Sequence, residues 1–452
     1  MISRRGFLGS SAGVVSLAFL GFQRQVLGQT RPVLAGWRDF GPIISDPAGI
    51  FDLPRGFSYS VIARIGEVME DGLRRPGQPD GMAAFPGPDG KVALICNHEL
   101  EHDESAKGPF GLNAENFELI DSDRVYDGGR QFACSGGTTT LIYNPQTRRV
   151  EKSWMSLAGT ENNCAGGPTP WGSWLTCEET TVRSDERTYT RDHGWVFEVP
   201  ASATEPVEPI PLTGLGRFRH EATAVDPETG IVYLTEDMSD GLFYRFVPNE
   251  PGRLIAGGRL QALALVDRNY SDTRNWPSSG GPSLKVNQDL AVEWLDLDQA
   301  DAPEDDLRQR GALQGAAVFA RGEGLWWGDK EAYFACTSGG PDQLGQIFKY
   351  TPGSETLSLF VQSSDHRLMA ACDNLTVSPW GDLIVCEDRS DGAGLIGVTP
   401  QGQLYEFGRN VYSRAELCGV CFDPAGRTLF VNLQDDGLTL AIHGPFPQAE
   451  AV

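Results

Sequence analysis

Short apolar runs recur along the whole chain, and polar or turn-forming residues follow them closely. Examples are the runs at 92–95, 231–235 and 428–431. Runs of this length with turn residues on both sides predict short β-strands rather than long helices. Gly (54 residues) and Pro (29 residues) are abundant, which also favours many turns. The pattern therefore predicts an all-β fold.

One hairpin pattern repeats at a fixed spacing around a proline. Within 163–179, Cys164 lies six residues before Pro170, and Glu178 follows that proline by eight residues. The same spacing, or a degenerate form of it, recurs along the chain and predicts six repeat units. The residues at the first position of the six copies are, in order, Asp80, Cys164, Glu221, Gln314, Asp373 and Cys418.

Each hairpin is followed by a second hairpin, so that one unit holds four short strands. The third strand of a unit commonly stops at a proline, as at Pro145, because proline has no N–H for the strand ladder. The last unit lacks its fourth strand, which residues 56–63 can supply. Four-stranded units in a closed ring predict a six-bladed β-propeller whose last blade is closed by the N-terminal strand. An open solenoid is the alternative, and the split last unit speaks against it.

The domain prediction is one propeller over residues 29–452, preceded by a signal peptide at 1–28. The longest predicted insertions lie at about 101–134 and 251–313. Residues 296–313 are rich in Ala, Leu, Arg and Gln, which favours a short surface helix there.

The first residues predict a twin-arginine export signal. Arg4 and Arg5 precede an uncharged apolar run at 9–22. We expect the translocase of this route as a transient partner and a periplasmic or secreted location. The run is short for a membrane span, so no stable span is expected. A retained membrane anchor is the alternative.

The net charge of −24 argues against nucleic acid as a partner, because phosphates would be repelled. Solubility alone explains such a charge, and so does binding of multivalent cations, which prefer oxygen ligands. The nine cysteines cannot all form disulfides, so at least one is free, ligated or buried. The pair Cys418 and Cys421 is only a weak indication of zinc or redox chemistry.

The repeat predicts that acidic side chains meet at one mouth of the propeller. The first positions of the six copies should line this mouth, and so should the ends of the second strands. Crowded carboxylates raise one another's pKa unless cations neutralise them. The alternative is that the acids are exposed and paired with Arg217, Arg219, Arg245 and Arg389. The residues at the strand ends are Asn97, His98, Glu99, Glu178, Glu179, Glu236, Asp237, Glu387 and Asp388.

The residue types at this mouth indicate which metals would bind. Carboxylates and amide oxygens suit Ca²⁺. A thiolate from Cys164 among carboxylates suits a transition ion such as iron. Cys164 can instead be a small core residue, as buried cysteines often are.

Several motifs together resemble the PhoX-type alkaline phosphatases, a calcium- and iron-dependent periplasmic family built on a six-bladed propeller. The resemblance covers nearly the whole chain after the signal segment, and 163–179 is its most specific part. The matching segments are 52–57, 97–99, 163–179, 219–221, 234–237, 386–388 and 442–446.

The resemblance implies hydrolysis of phosphate monoesters at two ferric ions and several calcium ions. It implies that Cys164 is a thiolate ligand to iron, and that Asn97, with either Arg245 or Arg389, orients the phosphate. The chain is shorter than the well-known members, so its substrate range stays open. The other metal ligands that the resemblance implies are Glu178, Glu179, Glu221, Glu236, Asp373 and Glu387.

Two other functions remain open at this point. A calcium-dependent lactonase or esterase on a propeller would polarise a carbonyl group and would need no thiolate. A non-catalytic propeller would use the ions only to join its blades.

Overall fold

The structure is a computed structural model that describes residues 40–279 and 281–447. The predicted signal peptide at 1–28 lies outside the described residues. One α-helix, α1 (Leu307–Gln314), lies within the region for which a surface helix was predicted. No helix among the described residues is long and apolar enough to cross a membrane.

Nearly all other regular structure is β-strand, which confirms the all-β prediction. Short 3₁₀ helices lie at Pro88–Gly90, His102–Lys107, Phe117–Leu119, Ser122–Arg124, Thr213–Leu215, Leu254–Ala256, Arg268–Tyr270 and Pro352–Ser354. The strands are β1 (Ile43–Ile44), β2 (Phe51–Pro54), β3 (Ser58–Arg64), β4 (Pro79–Pro86), β5 (Val92–His98), β6 (Gly136–Asn144), β7 (Arg149–Thr160), β8 (Asn163–Pro168), β9 (Ser173–Glu178), β10 (Val196–Pro200), β11 (His220–Val225), β12 (Val232–Glu236), β13 (Phe243–Pro248), β14 (Gly258–Leu265), β15 (Asp289–Leu297), β16 (Gly322–Trp327), β17 (Ala332–Cys336), β18 (Gln346–Thr351), β19 (Thr356–Gln362), β20 (Cys372–Val377), β21 (Leu383–Glu387), β22 (Gly394–Val398), β23 (Leu404–Asn410), β24 (Leu417–Phe422), β25 (Thr428–Leu433) and β26 (Leu438–His443).

The strands form antiparallel sheets in a propeller-like arrangement, as predicted in outline. Strands β4 to β7 make one sheet, and β8 to β10 make a sheet of three strands. A third sheet holds β20 to β23, with β2 and β1 added at its outer edge. In a fourth sheet, β24, β25 and β26 are completed by β3, with His443 opposite Ser58. The last sheet is therefore closed by an N-terminal strand, as the sequence predicted.

The prediction of six separate four-stranded blades is not met in detail. The β8–β10 sheet lacks a fourth strand, and a nine-stranded sheet joins β11–β14 to β16–β19. The joining strand is β15, which pairs with β14 on one side and with β19 on the other. It belongs to the insertion at 251–313, in which the sequence predicted a surface helix but no strand of this kind. An extended insertion can fill the gap between two outer strands because both of those strands have unpaired edges.

The first strands of the repeat units surround the centre of the molecule. They neighbour one another in the order β4, β8, β11, β16, β20, β24 and back to β4. A Cβ atom on Gly81 would lie 2.6 Å from the Cα atom of Ala165, and one on Gly419 would lie 2.1 Å from the Asp80 carbonyl oxygen. The strands therefore meet closely here, and the enclosed cavity between them is only about 10 Å³. The centre is a packed floor beneath the mouth.

Apolar side chains fill the space between neighbouring sheets. Phe243 stacks on Phe334 with ring centroids 4.3 Å apart, and Phe334 stacks in turn on Phe348 at 5.3 Å. Aromatic pairs in such buried positions contribute more than their area alone. All nine cysteines are buried and free, so none is used in a disulfide.

Candidate metal centre

One side chain from each first strand points to the centre of the mouth. It belongs to the second residue of the strand, and a register shift follows it in all six strands. Such a β-bulge turns the strand and redirects its side chains, which explains why this residue faces the centre. The six residues are Asp80, Cys164, Glu221, Glu323, Asp373 and Cys418.

Five of these six positions were predicted, and the prediction of Gln314 was wrong. Gln314 is exposed at the end of α1, whereas Glu323 in β16 is 5% exposed and occupies the central position. Asp329 lies six residues after Glu323, at the position where the other units have proline. The proline spacing therefore could not identify Glu323 as the central residue of this unit. The hairpin of this unit is also one residue shorter: Gly322 pairs with Cys336, whereas Cys372 pairs with Glu387.

A second set of side chains follows the end of each second strand. Its residues are Glu99, Glu179, Asp237, Thr337, Asp388 and Gln434. In every unit the N–H of this residue donates to the carbonyl oxygen of the residue two positions before the central one. Examples are Glu99 to Gln78 at 2.8 Å and Glu179 to Asn162 at 2.9 Å. This repeated hydrogen bond holds the second set beside the central residues.

Members of both sets, together with Glu416 directly before β24, form a continuous group that we call the central acidic cluster. Cys164, Glu179 and Glu221 place ligand atoms within 4.8 Å of one another, and so do Glu221, Glu323 and Asp373. Glu221 belongs to both of these groups and thus links them. Two further groups of the same kind contain Asp80. The cluster as a whole comprises Asp80, Glu99, Cys164, Glu179, Glu221, Glu323, Asp373, Glu416 and Cys418.

Burial raises the pKa of every carboxyl group in the cluster, and repulsion between neighbouring carboxylates adds to this for most of them. The pKa of Asp373 is raised to about 8, first by burial and then by Asp388. Burial raises the pKa of Glu221 well above its usual range, and Asp373 and Glu179 raise it further. The same two causes act on Asp80, Glu179, Glu323 and Glu416, whereas the pKa of Glu99 is raised mainly by burial. Without a cation the folded protein therefore favours protonated carboxyl groups here.

The oxygen atoms of the cluster fit bound cations. Both carboxylate oxygens of Glu221 and one of Asp80 are buried and accept no hydrogen bond within the described part of the chain. A buried carboxylate oxygen with no donor is costly unless a metal ion serves as its partner. Carboxylate oxygens alone suit Ca²⁺, and the group that contains the Cys164 sulfur suits a softer ion such as iron. The residues present thus match both predicted metals in kind.

Two arginines border the cluster, each one residue before a first strand. Arg321 forms two parallel hydrogen bonds with Asp237, at 2.8 and 2.9 Å, and an ion pair with Glu323 at 2.9 Å. Arg219 lies 3.9 Å from Glu179. Their side chains are 40% and 48% exposed, so each can contact a bound anion from the mouth. Arg321 was missed because it precedes the degenerate unit, although it holds the same repeat position as Arg219.

Three predicted ligands lie one residue before members of the second set, and their carboxylates accept hydrogen bonds from backbone N–H groups. Glu178 accepts hydrogen bonds from the N–H groups of Glu161, Gly194 and Trp195. Glu236 accepts from Leu242 N and from the Tyr244 hydroxyl. Glu387 accepts from Ala370 N and Gly394 N. These carboxylates hold the loops that connect second and third strands.

Asn97 is buried and its amide group is fully engaged. Its Nδ2 donates to the carbonyl oxygens of Cys164 (3.0 Å) and Ala165 (2.7 Å), and its Oδ1 accepts from the Trp174 indole at 2.8 Å. An amide with both N–H groups in use has none left for a phosphate. In this structure Asn97 is hydrogen-bonded to the strand that carries Cys164.

The two arginines named for phosphate binding lie elsewhere. Arg245, in β13, hydrogen-bonds Gln261 and covers the Trp294 ring, with 4.4 Å between its guanidinium carbon and the ring centroid. Arg389 forms two hydrogen bonds with Asp391, at 2.7 and 2.8 Å, and a 3.4 Å ion pair with Glu387. Neither belongs to the central acidic cluster. They were predicted because each lies in or near a second or third strand. The sequence pattern does not indicate toward which side of the sheet their side chains point.

Comparison with known proteins finds matches that cover most of the chain. A family model described as alkaline phosphatase PhoX matches residues 38–437. The solved structure of Pseudomonas fluorescens PhoX in complex with vanadate, a transition state analogue, is similar with a TM-score of 0.66 at 18% sequence identity, over 88% of this chain and 96% of that chain. A gluconolactonase from Xanthomonas campestris is similar at a TM-score of 0.41 and 12% identity, over 90% of this chain and 99% of that chain. No match was found among curated proteins.

Proposed function

Because this chain belongs to the alkaline phosphatase PhoX family, we propose that it hydrolyses phosphate monoesters at the central acidic cluster, with iron and calcium ions bound there. The observation that carries this proposal is the cluster itself. It combines buried carboxylates of raised pKa with the thiols of Cys164 and Cys418 at the mouth of the fold. We also interpret the five sheets as six propeller units, one for each first strand around the centre.

We propose that the softer ions bind Cys164, Glu179 and Glu221, whose ligand atoms form one compact group. Calcium ions would bind the all-oxygen group of Glu221, Glu323 and Asp373. We assign Glu178, Glu236 and Glu387 to holding the neighbouring loops, since their oxygen atoms accept backbone hydrogen bonds.

When bound, such ions act as Lewis acids that neutralise charge on the phosphoryl oxygens. The protein's own contribution to the reaction is to position the substrate. Arg321 would bind the phosphate through its exposed edge, because Asp237 holds the guanidinium plane from the other side. Arg219 would approach the same anion from the neighbouring unit. The packed floor beneath the cluster leaves the mouth as the way in for substrate.

The test is an aryl phosphate assay on the purified full chain, combined with elemental analysis of the same sample. We expect turnover, bound iron together with calcium, and loss of turnover on chelation. Cys164→Ala should abolish turnover while the protein stays folded. The matched control is Cys421→Ala, which removes a buried thiol from an apolar cluster between two sheets. Calcium without iron, and turnover of a lactone but not of the phosphate ester, would favour the lactonase alternative.

We further propose that the protein is exported by the twin-arginine route to the periplasm or beyond. The support is the Arg4–Arg5 pair with its apolar run, together with a family known from exported enzymes. Replacing both arginines with lysines should keep the protein in the cytoplasm, as cell fractionation would reveal.

A further inference from the structure

A second group of metal-binding side chains lies outside the central acidic cluster. Asp127, Cys134 and His193 are all buried, and their ligand atoms lie within 4.8 Å of one another. They come from two loops: Asp127 and Cys134 from the segment between β5 and β6, and His193 from the segment between β9 and β10. The group therefore joins two loops that are far apart in the sequence.

The distances in this group fit a tetrahedral metal site. His193 Nε2 lies 3.3 Å from Asp127 Oδ2 and 3.9 Å from Cys134 Sγ. Around one tetrahedral zinc ion, usual bond lengths place a nitrogen about 3.4 Å from a carboxylate oxygen and about 3.5 Å from a sulfur. The observed separations differ from these values by a few tenths of an ångström, so small side-chain adjustments would complete the geometry.

Glu161, which precedes β8, lies beside this group. Its Oε1 accepts hydrogen bonds from His102 N and from the Tyr189 hydroxyl, both at 2.8 Å. The Glu161 carboxyl also faces the Cys134 thiol and contributes, after burial, to raising the pKa of that thiol. Glu161 is therefore a neighbour of the thiol rather than a member of the three-residue group.

The orientation of His193 is set by a carboxylate on its other side. His193 Nδ1 lies 2.7 Å from Glu178 Oε1. A proton on Nδ1 that is shared with Glu178 leaves the lone pair of Nε2 directed at Asp127 and Cys134. Metal-binding histidines usually have such a carboxylate partner, which selects the ring tautomer. Glu178 is in this way a positioning residue.

We propose a second metal site for a divalent transition ion of the zinc class, whose protein ligands are Asp127, Cys134 and His193. Thiolate and imidazole ligands favour such an ion over calcium. The site would join the loop that carries Cys134 to the loop that carries His193. We assign it a structural role, because its three ligands are buried and link two separate loops.

A different reading is an imidazolium ion held between two carboxylates. Asp127 and Glu178 flank the His193 ring, and the charge of Glu178 with hydrogen bonds to both carboxylates raises the pKa of His193 to about 10 although burial opposes it. In that case both ring nitrogens carry protons and no metal binds. The two readings differ in the protonation of Nε2, which can be measured.

The experiment uses the full chain with Cys164→Ala and Cys418→Ala, so that the central acidic cluster offers no thiolate. The protein is stripped with a chelator and titrated with Co²⁺, which reports thiolate ligation by a sulfur-to-metal charge-transfer band. We expect this band at one equivalent of Co²⁺, its loss on adding Cys134→Ala, and its retention with Cys421→Ala. Absence of the band, or its survival without Cys134, would overturn the proposal.

Two further measurements keep the test decisive if Cys134→Ala does not fold. Glu178→Gln keeps the shape of the positioning residue and should weaken Zn²⁺ binding about 10- to 100-fold, as loss of such partners does elsewhere. Nitrogen NMR of His193 should show that Zn²⁺ removes the proton from Nε2. An imidazolium that keeps both ring protons in excess Zn²⁺ would refute the metal site, whatever the central cluster binds.

Discussion

Asp373 offers the sharpest test of the central acidic cluster, because its substitution should have opposite effects with and without metal. Its pKa rises from 3.8 to about 8 in the fold, first because it is buried and next because Asp388 is near. The folded protein thus holds a proton on this group over a pH range in which the unfolded chain has released it. Stability contributed by that proton is present below about pH 4 and is lost as the pH rises toward 8.

The magnitude follows from the size of the shift. A difference of about 4 pKa units at about 1.4 kcal/mol each gives a penalty on the order of 5 kcal/mol above pH 8 in the metal-free protein. Asp373→Asn removes this penalty, so the chelated variant should be more stable than the chelated wild type at alkaline pH. The two should converge near pH 4. In the metal-loaded protein the same variant loses a ligand, so metal content and turnover should fall.

The assay is urea unfolding of chelated and metal-loaded protein from pH 4 to pH 9, with turnover measured in parallel. Glu387→Gln is the matched control from the same repeat unit, since Glu387 accepts hydrogen bonds from Ala370 N and Gly394 N. It should destabilise the chelated and the loaded protein alike. The reasoning fails if chelated Asp373→Asn is no more stable than wild type at pH 9, or if the loaded variant keeps its metal and activity.

Three other substitutions test separate parts of the site. Arg321→Met should lower kcat/KM for an aryl phosphate roughly 10- to 100-fold, because a charged hydrogen bond contributes about 1.5–3 kcal/mol. The control, Arg245→Met, should change kcat/KM by less than about twofold. Equal effects of the two substitutions would contradict the placement of the phosphate beside Arg321. Asn97→Ala should lower the free energy of unfolding by roughly 2–5 kcal/mol, since it leaves two buried carbonyl groups and one indole N–H without a partner. Comparing the unfolding free energies of Asn97→Ala and Asn97→Asp by denaturation would show whether the amide N–H groups are needed. Gly419→Ala should lower the free energy of unfolding by at least about 1 kcal/mol, because φ is +65° and the added Cβ would meet the Asp80 carbonyl oxygen at 2.1 Å. Gly402→Ala is the control for the backbone strain alone, since Gly402 also has a positive φ but the nearest atom would be 3.4 Å from its Cβ. Equal losses of stability in the two variants would mean that the inner strands separate freely.

The repeat carried most of the fold prediction because its spacing reflects a real hairpin. Proline closes a strand at a fixed distance from the central residue, so that five of six central positions could be read from the sequence. Glu323 escaped because its unit has Asp329 in place of the proline and a hairpin one residue shorter. Strand β15 was not predicted because it pairs with strands of two different units. A local sequence pattern does not indicate with which strands an insertion will pair.

The sequence located most of the strand ends that form the site, but it did not indicate the direction in which each side chain points. Adjacent residues at a strand end point to opposite sides, so Glu178 and Glu179 could not be told apart by spacing. The bulge in each first strand adds a further change of direction that alternation alone does not reveal. As a result the sequence located this end in five of the six units, whereas the structure was needed to separate side chains that face the mouth from those that hold the loops.

The pairing of β3 with β26 has a consequence for how the chain matures. The partner residues Ser58 and His443 are separated by most of the polypeptide. Contacts of such high sequence separation form late and slowly, since a long loop must close first. The final sheet therefore stays open until the ribosome has released nearly the whole chain. A nascent or truncated molecule that lacks β26 would expose a bare strand edge to aggregation.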